Sequence, residues 1–174
     1  AEDGIRDVAV TGVQTCALPI SVRLATAQAR WNSDLIDPYR LGVYWGSGMA
    51  GAHTFDASCE SLYAQHRRLR PTNVVTTMPN APAAEIALSL QAKGACLSYA
   101  CACASSAVAI GEALLAIRSG RLDVAVVGGS ESMLSPGVIA SWHAMRVLAA
   151  AGSDPASACR PFDLHRKGFA LGEG

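Results

Sequence analysis

Ala95 to Gly129 reads ACLSYACACASSAVAIGEALLAIRSGRLDVAVVGG. Ala95 to Ala100 is a short run of strand length behind Gly94, Ser105 to Ser119 is Ala-rich and predicts a helix, and Asp123 to Val127 predicts a second strand stopped by Gly128-Gly129. Strand, helix, strand in that order implies a parallel or mixed sheet covered by helices, so the fold class is α/β.

Outward from this unit the same alternation continues. Leu41 to Trp45 is an apolar run ended by Gly46, Gly48 and Gly51, which predicts a buried strand and a tight turn. Helices are expected over Ser21 to Asn32, Phe55 to Leu69, Ala83 to Ala92 and Ser135 to Leu148. Arg67, Arg68 and Arg70 are read as a solvated helix end, where cations suit the C-terminal carbonyls, with docking of an acidic carrier protein as a second reading. Pro71 to Pro82 and Ala149 to Ala158 are expected to be loops. Val10 to Ile20, VTGVQTCALPI, resembles the translation of a sequencing-library adapter, so residues 1–20 are read as a non-native segment and Cys16 as part of no natural site. The other reading of this stretch is a short strand and a loop closed at Pro19. The domain is then 21–174, and because Gly172-Glu-Gly174 completes no element it is expected to be truncated at its C-terminus.

Composition narrows the function. With 51% hydrophobic and 16% charged residues among 174, the chain can bury a sizeable core. Fourteen basic residues balance fourteen acidic ones, so no overall field favours nucleic acid or an anionic membrane. No apolar run approaches the roughly 20 residues that span a bilayer. The six cysteines (Cys16, Cys59, Cys96, Cys101, Cys103, Cys159) lack paired CxxC spacing and no signal peptide precedes them, which suggests free thiols, a cytoplasmic setting and no metal or other cofactor.

Two motifs carry chemistry. Gly46-Ser-Gly48-Met-Ala-Gly51 matches a dinucleotide fingerprint, but no acid-ended strand follows about 20 residues on, so a tight turn against the core is the better reading. Cys103 stands at a strand-to-helix junction. If the helix begins near it, unpaired N–H groups and the helix dipole favour the thiolate, small neighbours admit a thioester, and the Cys103 N–H becomes an oxyanion donor. The competing reading is a buried cysteine that acts as a small hydrophobe.

Ala102-Cys-Ala-Ser-Ser106 with Ala109-Ile-Gly111, then Gly128-Gly-Ser-Glu131, then Arg160-Pro-Phe-Asp163 through Gly168-Phe-Ala-Leu-Gly-Glu-Gly174, resemble in order and spacing the signatures of beta-ketoacyl-acyl carrier protein synthases. Gly46-Ser-Gly48 and Met78-Pro-Asn80 fall where that family has a Gly turn and an Asn-bearing loop, so the resemblance spans roughly residues 41 to 174. It implies the N-terminal half of a thiolase-like αβαβα fold with a mixed sheet. It also implies Cys103 as the acyl-accepting nucleophile, and an acyl pocket lined by Met49, Ala102, Val138 and Trp142, the last limiting chain length. The reaction implied is decarboxylative Claisen condensation of a Cys-bound acyl chain with malonyl-acyl carrier protein, in fatty acid or polyketide biosynthesis. The expected partners are acyl- and malonyl-acyl carrier protein and a second copy in a homodimer, through a contact that includes the strand before Cys103. Two histidines and a lysine that assist decarboxylation would come from the absent second half, so the fragment is expected to be inactive; His53, His66, His143 and His165 match none of them. Plain core packing competes for the pocket residues. A noncatalytic chain-length partner and a thiolase compete for the whole, although Cys103 speaks against the first and the RPFD and GFALGEG signatures against the second.

Overall fold

The structure, a computed structural model, describes residues 13–150, 152 and 154–172, without the side chains at 13–19 and 33. Among the described residues three strands form one sheet: β1 (Leu41–Gly46), β2 (Cys96–Tyr99) and β3 (Val124–Gly129), in the order β2-β1-β3. Both pairings are parallel, with Val43 opposite Cys96, and Leu41 opposite Val124 through to Gly46 opposite Gly129. All six residues of β1 are buried, as a central parallel strand covered on both faces requires.

Alternation along β1 sorts the core into two halves. Val43 and Trp45 pack with Val22 of α1 (Val13–Gln28) and with Ala83, Ile86 and Ala87 of α4 (Ala81–Ser89). Tyr44, between them, faces Ala109, Ala113 and Ala116 of α5 (Ser105–Arg118), together with Leu122. The small alanines at four- and three-residue spacing let α5 lie close against the sheet. The result is helix, sheet and helix in three layers, consistent with the α/β reading.

Several boundaries move from their expected places, each for a local reason. Residues 1–12 of the segment read as non-native lie outside the described residues; from Val13 its backbone is already the first part of α1. The helix expected over 55–69 is α2 (Ala52–Cys59) followed by a π turn, Glu60–Ala64. It stops there because His66 takes a left-handed conformation (φ 50) while the Gln65 N–H donates to the Glu60 carbonyl and the Arg67 N–H to that of Ser61. Arg67, Arg68 and Arg70 therefore lie beyond the helix on an exposed stretch, not in its last turn. The expected loop 71–82 contains a one-turn helix α3 (Asn73–Thr77), tied to α2 by the Asn73 amide donating to Ser58 Oγ at 2.8 Å. The last helix, α6 (Pro136–Ala144), ends four residues early: Arg146 is left-handed (φ 59) and Leu148 pairs with Phe169 in an isolated parallel bridge. Ser135 at its N-cap makes no capping bond. The Gly137 N–H instead donates to Asp56 Oδ2 of α2 at 2.8 Å, an anionic cap supplied by a neighbouring helix.

Candidate functional site

Between β2 and α5 the chain makes a tight four-residue turn. The Ala104 N–H donates to the Cys101 carbonyl at 3.0 Å, and Ala102 sits in the left-handed region with φ 49. An alanine there is strained, because its Cβ crowds the backbone where glycine would not. Ser105, the first residue of α5 and 3% exposed, spans the turn: its hydroxyl accepts from the Cys101 N–H at 2.8 Å and donates to the Ala102 carbonyl at 2.7 Å. The Ser105 N–H also points to that carbonyl, at 3.2 Å. Cys103 is raised at the tip, exposed and unpaired. It precedes the N-cap Ala104 by one residue, so the helix begins slightly after the thiol rather than at it. Among the described residues, the Ser106 N–H donates to no backbone carbonyl outside α5, so the first turn of that helix presents a donor beside the thiol.

Facing this turn is the loop that leaves β1. Glu131, just past β3, reaches across with its carboxylate: Oε2 accepts from the Gly48 N–H at 2.6 Å and the Met49 N–H at 2.9 Å, and Oε1 accepts from Ser47 Oγ at 3.3 Å. Ser47 Oγ in turn accepts from the buried Ala50 N–H at 2.9 Å. Gly51 does lead straight into α2, as a dinucleotide turn would, yet the N–H groups that a phosphate would need at Gly48 and Met49 are already taken by the protein's own carboxylate. The glycines act by close approach. A Cβ on Gly46 would strike the Ser105 and Ser106 backbone, and one on Gly129 would strike the Ser106 hydroxyl, so both strand ends are kept bare where the start of α5 rests on them. Trp45, beside them, donates from Nε1 to Ser130 Oγ at 3.0 Å.

The two loops enclose a cavity of about 370 Å³, large enough to hold a small acyl group. Met49, Ala102, Cys103 and Trp142 line it together. Val138 does not: it is buried within α6 at 7% exposure and is absent from the lining. Trp142 is held by an edge-on contact with Phe169, ring centroids 5.5 Å apart, which ties the Gly168-Phe169 signature to the cavity wall. None of His53, His66, His143 and His165 lines the cavity. A larger hollow of about 540 Å³ lies against α2 and α3, lined mostly by apolar groups such as Phe55, Leu62 and Val74 together with Cys59; its Asn73 amide is spent on Ser58. Among the described residues no group of three or more His, Cys, Asp or Glu is placed to hold a metal. Sequence reasoning missed Glu131 and Ser105 as parts of the site. Both stood inside quoted motifs, but their partners lie in other segments or in backbone atoms that a side-chain pattern does not display.

An exposed thiol on a strained strand-to-helix turn, lining a small cavity, defines an α/β protein with a cysteine at the head of a helix. Comparison with known proteins gives that class a family. The family model for the beta-ketoacyl synthase N-terminal domain matches residues 4–174. Nodulation protein E of Rhizobium sp. (strain N33) is 36% identical over 156 residues, 89% of this chain and 37% of that protein. The 3-oxoacyl-[acyl-carrier-protein] synthase 2 of Mycobacterium tuberculosis (strain ATCC 25618 / H37Rv) is 36% identical over 159 residues, covering 87% of this chain and 38% of that one. Among solved structures, a beta-ketoacyl synthase from Burkholderia phymatum STM815 superposes with a TM-score of 0.78 at 29% identity, over 92% of this chain and 40% of the other. A type II PKS acyl-carrier protein in complex with its ketosynthase bound to the hexaketide supplies a second match, with a TM-score of 0.81 at 25% identity, over 87% and 39%. The chain therefore belongs to the beta-ketoacyl synthase family and has its thiolase-like fold. It spans less than two fifths of the length of these curated relatives.

Proposed function

We propose that this chain is the nucleophile-bearing part of a 3-oxoacyl-acyl carrier protein synthase, an acyltransferase in which Cys103 takes up the acyl chain. The observation that carries the reading is the exposed Cys103 thiol at the N-terminal end of a 14-residue helix, facing a cavity, with the first-turn N–H groups of that helix beside it. The helix dipole there favours negative charge on an oxyanion that develops beside the helix end. The thiolate attacks the thioester carbonyl of an acyl-carrier protein, the carrier thiolate leaves with the electron pair of its C–S bond, and the acyl group stays on Cys103. In the second step malonyl-carrier protein loses carbon dioxide, the resulting carbanion forms the new C–C bond at the Cys103 thioester, and the thiolate is released. Met49 and Trp142 wall the acyl group, the indole setting a short limit on the chain accepted; Val138 supports the wall from within α6. The decarboxylating groups are contributed from outside these 174 residues, so the chain alone is acylated but does not condense; this is supported by the absence of any histidine from the lining. A homodimer through β2 is supported by its place at an edge of the described sheet with Leu97 45% exposed. A cytoplasmic setting fits the free cysteines, and among the described residues no helix is long and apolar enough to cross a membrane.

Acylation tests the reading. Incubation with a short acyl thioester of pantetheine, followed by peptide mass mapping, is expected to place one acyl group on Cys103 and none on the Cys103→Ala chain. Equal acylation of Cys59 and Cys159 would falsify the assignment.

A further inference from the structure

We propose that Ser105 is the positioning residue of this site: it holds Ala102 in its left-handed conformation and thereby keeps the Cys103 thiol raised into the cavity. The inference rests on Cys103 being the acyl acceptor.

The turn runs from Cys101 to Ala104, and its second residue, Ala102, has φ 49. That position favours Gly, Asn or Asp, and an alanine left to itself relaxes toward negative φ. Relaxation would rotate the following peptide and carry Cys103 with it. What opposes this is visible in one side chain. The Ser105 hydroxyl accepts from the Cys101 N–H at 2.8 Å on one side of Ala102 and donates to the Ala102 carbonyl at 2.7 Å on the other. Both bonds are partly shielded, Ser105 being 3% exposed although Cys101 and Ala102 are exposed, and their backbone partners flank the strained residue. Ser105 is itself immobile: Gly46 packs so closely on its backbone that no Cβ fits between them. The strain at Ala102 is thus held from the rigid start of α5 and the buried end of β1. The neighbouring Ser106, also at the helix start, contributes nothing comparable; its hydroxyl abuts Gly129.

The test compares rates of Cys103 modification by iodoacetamide and by the acyl thioester of pantetheine in the full chain, with Cys59 and Cys159 as internal references. Ser105→Ala is expected to slow Cys103 about tenfold while the reference rates stay unchanged, the combined net contribution of the two hydrogen bonds removed. Ala102→Gly placed in the Ser105→Ala chain is expected to restore most of the rate, because glycine takes the left-handed conformation without a clamp. A merely structural serine would not be rescued in this way. An unchanged Cys103 rate in Ser105→Ala, or a slowed rate that Ala102→Gly leaves slow, overturns the proposal. If Ser105→Ala unfolds, seen as faster labelling of Cys59 and Cys159, Ala102→Val decides with Ser105 intact: a β-branched residue resists the left-handed turn and is expected to slow Cys103, and an unaltered rate is again fatal. Failure of the acyl-acceptor reading shows separately, as a Cys103 no more reactive than the two reference thiols in the unsubstituted chain.

Discussion

Glu131 Oε2 sits 2.6 Å from the Gly48 nitrogen and 2.9 Å from that of Met49, so one carboxylate fixes the loop that faces the thiol. Hydrogen bonds to a charged acceptor are stronger than neutral ones, and removing the acceptor strands two donors at once. Glu131→Ala is therefore expected to lower unfolding free energy by about 2–3 kcal/mol, and Glu131→Gln, which keeps one acceptor oxygen, by about half as much. Urea titration of the three chains checks this, and a Glu131→Ala chain within about 0.5 kcal/mol of the parent contradicts it. The same loop explains why a glycine-rich motif here does not mean a nucleotide site: the residue that decides it is 82 positions away from Met49.

Elements meet at the site through missing side chains. The end of β3 and the start of α5 touch where Gly129 lies against Ser106, with no room for a methyl group. Gly129→Ala is expected to destabilise the fold by about 1–3 kcal/mol through overpacking and to alter Cys103 labelling as well, because α5 must shift to admit the methyl. Thermal unfolding and thiol labelling read the two effects; unaltered values in both dispose of the argument. The elements themselves were largely legible. β1, β2, β3 and α5 fall within a residue or two of their expected places because apolar runs bounded by glycine, and an alanine-rich helix, are local signals. The ends of α2 and α6 were not legible, since both are set by a left-handed residue, His66 and Arg146, whose conformation no side-chain pattern announces. At the site, motif resemblance named Cys103, Met49, Ala102 and Trp142, which the fold brings to one cavity, and Val138, which it leaves outside the lining. The turn geometry that gives the cysteine its position depends on backbone partners and could not.

Across the whole molecule, charge is balanced at fourteen against fourteen, so pH acts through particular pairs rather than through net repulsion. The clearest pair joins the entrances of two strands: Arg40 Nε and Nη2 donate to both carboxylate oxygens of Asp123, each at 2.5 Å, while Nη2 also reaches the Gly120 carbonyl at 3.1 Å. The backbone continues the tie, the Asp123 N–H donating to the Arg40 carbonyl at 3.0 Å. The guanidinium, by its hydrogen bonds first and its charge second, holds the Asp123 carboxyl below the usual carboxylate range. A folded-state pKa below the unfolded one means that the contribution is complete above the unfolded value, about 3.9, and is lost as pH falls through the lower folded value. Both side chains are well exposed, 39% and 57%, so water and salt screen the pair and its effect is small. Asp123→Asn is expected to melt slightly below the parent at pH 7, with the gap narrowing in high salt and closing as the pH falls below about 4. Melting curves of the two chains across that range decide it. A gap that persists undiminished at about pH 2.5 means that Asp123 acts through its shape and its hydrogen bonds alone, not through its charge.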